Sequence, residues 1–103
     1  MSSIKIRSKR LDSASLVRIL LTHPMETGRR QDKASGETIP PHYIQEVKIE
    51  HNGILAARCQ FGTAVSRDPY ISFRLRDTKS GDSVRVSWLD NLGQGDSESI
   101  LIP

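Results

Sequence analysis

The chain has 103 residues, 36% hydrophobic and 26% charged, which suits a single globular domain over 1–103 and excludes a disordered tail. Its 15 basic and 12 acidic residues leave a formal charge of only +3, and no basic stretch is interleaved with aromatics as a nucleic-acid reader would require. The single cysteine, Cys59, rules out an internal disulfide, and the longest apolar run, Leu16 to Leu21, is broken by Arg18 and too short to insert in a membrane.

Period-two alternation dominates the chain from its start. Ile4 and Ile6 share one face, with Lys5, Arg7 and Lys9 on the other. Those cations, with Arg10, read first as the wet face of a strand and second as a contact for an acidic protein or anion. In the run Leu16 to Thr22, Val17, Ile19 and Leu21 fall on one side. Residues 23–41 then lose all periodicity and carry three prolines, two glycines and many charges. This predicts a long loop, with a short hairpin at Ala34-Ser35-Gly36, and long loops in small domains tend to be functional.

The next strand puts Tyr43, Gln45, Val47 and Ile49 on one face. His51-Asn52-Gly53 is a tight turn, because Asn-Gly supplies the positive φ angles of a type I′ hairpin. Its return strand aligns Leu55, Ala57, Cys59 and Phe61. After a loop at 62–69, Ile71, Phe73 and Leu75 alternate with polar residues, and Val84, Val86 and Trp88 do so beyond the turn at 79–82. A turn from Asp90 to Asp96 precedes a last strand carrying Ile100 and Ile102. About seven short strands without an amphipathic helix predict an all-β, immunoglobulin-like antiparallel sandwich, with a small open barrel as the competing architecture.

No constellation for chemistry emerges. His23, His42 and His51 are 19 and 9 residues apart, which matches no local metal motif, and each reads as a surface or turn histidine. Cys59 shares the inward strand face and reads as a small core residue. A hydrolase or redox protein centred on Cys59 is the alternative of another class, and a solitary small-ligand or adhesion sandwich is a third. The acids from Asp90 to Asp96 lack calcium-loop spacing. Trp88 has the parity of a core residue. No catalytic residue, cofactor or metal ligand is therefore expected.

The segments His23-Pro-Met-Glu-Thr-Gly-Arg, Ile39-Pro-Pro-His-Tyr-Ile-Gln-Glu-Val, His51-Asn-Gly, Asp68-Pro-Tyr-Ile-Ser-Phe and Val86-Ser-Trp-Leu-Asp-Asn, in this order, resemble the SoxZ family. Asp68 stands where that family often has asparagine, and Tyr43 where phenylalanine is common. The resemblance implies the smaller, non-catalytic subunit of the SoxYZ carrier complex of thiosulfate oxidation. Its partner SoxY holds sulfur intermediates on a cysteine in a glycine-rich C-terminal arm, on which other Sox enzymes act. This chain ends Ser97-Glu-Ser-Ile-Leu-Ile-Pro103, without such an arm, so the supporting role is expected. Its start has no apolar signal region, so the expected location is the periplasm, reached by co-export with a signal-bearing SoxY. His23, Pro24 and Met25 in the long loop are the expected partner contacts.

Overall fold

A computed structural model describes residues 2–103. Seven strands follow in order: β1 Ile4–Arg10, β2 Ala14–Leu21, β3 Ile44–His51, β4 Ile54–Gln60, β5 Tyr70–Arg76, β6 Ser83–Asp90 and β7 Gly95–Leu101. They form a three-stranded sheet, β1-β2-β5, and a four-stranded sheet, β4-β3-β6-β7, with every pairing antiparallel. Two such sheets face to face make the immunoglobulin-like sandwich that the alternation predicts. No helix is long and apolar enough to cross a membrane among the described residues.

Inward residues of both sheets meet in one core. Val17, Ile19 and Leu21 of β2 oppose Val47 and Ile49 of β3 and Val84 and Val86 of β6, all fully or almost fully buried. These are mostly β-branched side chains, which pack well on a pleated surface. The β3–β4 turn is as predicted, with φ of 50° at Asn52 and 81° at Gly53.

Two β-bulges change the predicted facing. Between β3 and β6, Ile44 pairs with Asp90 and Glu46 with Leu89, so Gln45 is an extra residue. Ile44 is then fully buried while Gln45, expected inside, is exposed. Between β3 and β4, Ile49 pairs with Ala57 and Glu50 with Leu55, leaving Ala56 extra. Ala57, Cys59 and Phe61 still pack on the core, but Leu55 turns outward and is 48% exposed. A bulge inserts one residue and so reverses the alternation beyond it. The turn after β6 is also shorter than expected, because Gly95 already pairs with Leu89. A Cβ at Gly95 would lie 2.6 Å from the Trp88 carbonyl oxygen, which only glycine avoids.

Residues 26–42 form an irregular ribbon that connects β2 of one sheet to β3 of the other. It is held by the bridges Glu26–His42 and Gln31–Thr38 and turns at 32–37, which includes the expected hairpin. Residues 29–38 are all exposed. Since the ribbon enters β3 at its start and the β3–β4 turn leaves at its end, the two project from opposite ends of the sandwich.

Candidate functional site

The ribbon's base carries the densest polar cluster. β2 ends at Leu21, and Pro24, with no N–H to give, keeps the ladder from continuing. Met25 adopts a φ of 50°, which turns the chain back on itself and drives the His23 ring inward to 3% exposure. The Met25 N–H donates to His23 Nδ1 at 3.1 Å. The neutral ring therefore carries its proton on Nε2, which faces Asp90 Oδ2 at 3.1 Å. His42 Nε2 meets the same oxygen at 2.8 Å. The other carboxylate oxygen accepts the Leu92 and Gln94 N–H groups at 3.0 and 2.9 Å. Burial pushes the Asp90 carboxyl up, but the bonds from His23, Gln94, His42 and Leu92 outweigh it and hold it below the usual carboxylate value.

Neighbouring groups close the cluster. The His23 and His42 rings meet edge-on with centroids 4.5 Å apart, and the Trp88 ring stands 5.2 Å from His23. Asn91 accepts from Tyr43 N–H at 2.8 Å and donates to Pro41 O at 2.9 Å. Asp68, at a φ of 52°, accepts the His23 N–H at 3.0 Å. That left-handed backbone suits aspartate or asparagine, and either side-chain oxygen makes the bond. Four of the five segments behind the family resemblance thus meet at one end of the sandwich.

His23, His42 and Asp90 place one potential metal-ligand atom each within 4.8 Å of one another. Ligation through His23 Nε2 needs a lone pair there and a proton on Nδ1, which would then point at the Met25 N–H. The donor pattern is that of a carboxylate clasp, in which four N–H groups satisfy one buried aspartate.

The sequence-predicted residues fall out as follows. His23 is not a surface histidine, because Met25 turns the chain inward; His42 is half-buried in the clasp. His51 is half-buried at its turn and bonds Asp82 Oδ2 at 2.8 Å. Of the expected partner contacts, Pro24 is exposed, while Met25 is buried and its sulfur accepts the Ile44 N–H at 3.3 Å. Cys59 is half-buried on β4 and no histidine bonds it among the described residues. Trp88 packs on the core, as its parity predicts, and its Nε1–H donates to Ser3 Oγ at 2.9 Å. Asp90 and Asn91 escaped sequence reasoning as site residues. The available signal was an Asp-Asn pair opening a Gly-containing turn, which suggests side-chain capping but not its histidine partners.

A comparison with curated proteins finds no match. Among solved structures, the crystal structure of a hypothetical protein from Pyrococcus horikoshii OT3 superposes with a TM-score of 0.70 at 16% identity, covering 97% of this chain and 87% of that one. At that identity the likeness shows the shared sandwich fold alone. A family model described as sulphur oxidation protein SoxZ matches residues 4–100. With nearly the whole chain matched, and the segments that resemble the family building one clasp, the chain belongs to the SoxZ family of sulfur-oxidation proteins.

Proposed function

We propose that this chain is the non-catalytic subunit of a SoxYZ carrier complex, binding and stabilising SoxY, whose C-terminal cysteine carries the sulfur intermediates. The family match over residues 4–100 carries the reading. The site chemistry agrees with it. The buried aspartate and His23 spend their hydrogen bonds on one another, on His42 and on the backbone, so both act as structural groups. Cys59 packs on the core with Ala57 and Phe61, and among the described residues no histidine bonds it and no helix is present to activate the thiol.

On this reading Pro24 is the contact with SoxY, and the buried His23 and Met25 hold it in position. The complex reaches the periplasm by joint export. Co-expression with SoxY tests the assignment. The two chains should copurify, and Pro24→Asp should weaken the complex about tenfold, or about 1.4 kcal/mol, with the fold intact. A chain that stays a stable monomer beside SoxY would sink the reading. Cell fractionation with and without SoxY tests the export step, since periplasmic delivery in its absence contradicts joint export. Rapid alkylation of native Cys59 at neutral pH would instead favour a thiol enzyme.

A further inference from the structure

We propose that the outer face of the β1-β2-β5 sheet is a docking surface for an acidic protein whose carboxylates flank an apolar strip. This rests on charge and register and stands apart from the SoxY assignment. The three strands contain no aspartate or glutamate. Their outward positions carry Lys5, Arg7, Lys9, Arg18, Arg74 and Arg76, all exposed. None of the six joins an ion pair among the described residues.

The register sharpens the pattern. Arg7 and Arg18 sit directly opposite each other, an arrangement that costs stability when no acid lies between. Next to them run the rows Lys5–Leu20–Tyr70 and Lys9–Leu16–Arg74. The central strand thus presents Leu16 and Leu20 between flanking cations, with Leu20 40% and Tyr70 61% exposed. An apolar middle with an arginine and tyrosine rim is the make-up of a protein interface. The opposite face of the sandwich also exposes leucines, Leu89 and Leu101 among them, but its charges are balanced. There Glu46, Lys48, Glu50 and Arg85 alternate in sign, and Arg58 Nε pairs with Glu46 Oε1 at 2.7 Å. Strands about 4.8 Å apart bring neighbouring cations within the ~8 Å screening length of physiological salt, so their fields add. A nucleic acid would want stacking aromatics along the face, and Tyr70 alone stands at one corner.

The test uses the intact chain and a short glutamate-rich peptide with a central leucine pair, followed by fluorescence anisotropy. The wild-type chain should bind it, and binding should weaken steeply with salt. Arg7→Ser/Arg18→Ser/Arg74→Ser should lose at least about tenfold in affinity, whereas Lys48→Ser/Arg85→Ser on the opposite face should change it less than about twofold. Leu16→Ser/Leu20→Ser should weaken binding while keeping the salt slope, with circular dichroism reporting the fold. Should those leucine changes unfold the chain, the exposed single change Leu20→Ser gives the same readout. Equal losses on both faces, no loss in the arginine variant, or preference for a DNA oligonucleotide or phosphatidylserine vesicles of matched charge would overturn the proposal.

Discussion

A single carboxylate, Asp90, organises one end of the molecule. Its four N–H donors come from the loop after β2, the residue pair before β3 and the turn before β7. Replacing it by asparagine keeps an oxygen for Leu92 and Gln94 but aims an amide N–H₂ at two histidine donors. Asp90→Asn should therefore cost about 2–3 kcal/mol, the size of a buried, charge-assisted bond with its partners left unmet, measured by urea unfolding at neutral pH. A loss under about 0.5 kcal/mol would mean that the clasp is loose. Because its carboxyl sits below the ordinary value, this contribution is present above pH 4 and fades only in stronger acid. At the opposite end, half-buried Asp82 behaves alike. The bond from His51, then those from the Lys79 N–H and Asn52, lower its pKa to about 2 from 3.8. The sign follows: its contribution is complete above the unfolded value of 3.8 and is lost as pH falls through about 2. Carboxyl chemical shifts should show Asp82 titrating near 2 in the wild type and moving upward in His51→Ala. An unmoved titration in that variant would show that His51 is not the main cause.

Among the elements, β2 is under the sharpest tension. It contributes three fully buried apolar side chains, Val17, Ile19 and Leu21, yet presents Arg18 directly opposite Arg7. Arg18→Thr removes the repulsion and supplies a good strand former, so it should raise stability by about 0.2–1 kcal/mol, and more at low salt than at high. Destabilisation at low ionic strength would show that the arginine stem packs more than its charge repels. Strand existence was legible in the sequence wherever alternation is unbroken: β1, β2, β5 and the Val84–Trp88 part of β6 face as their pattern predicts. What the pattern hides is the bulge. Gln45 and Ala56 are ordinary strand residues whose doubling against one partner residue depends on the neighbouring strand, so alternation alone puts Gln45 and Leu55 on the wrong face. The clasp was hidden for the same reason at longer range. Its bonds span 67 and 48 residues, and no local spacing encodes them, although family-like segments flagged each participant separately.

At the scale of the whole molecule, the chain is a sandwich with a limb. The longest extent is 53 Å, against about 27 Å for an eight-residue strand. The ribbon is fastened only near its root. Glu26 and His42 exchange backbone hydrogen bonds at 2.7 and 3.0 Å, and Gly28 lies so close to Pro41 that a Cβ there would come within 3.2 Å of its ring. Beyond that root, Arg30 reaches back to Glu26 in an exposed ion pair of the kind that adds little to stability. The two chain ends at the root are thus already adjacent, and closing them with a short turn should cost little loop entropy. Excising residues 29–38 and joining Gly28 to Ile39 through a two-glycine linker should leave the β2–β5 and β3–β6 ladders intact. The melting temperature should shift by less than about 4 °C, within the effect of about 1 kcal/mol on a domain of this size. Hydrogen exchange should show β-sheet amides as protected as before, with faster exchange confined to Glu26 and His42. Global loss of protection would show instead that the ribbon is part of the folding unit and that the clasp stabilises the sandwich through it.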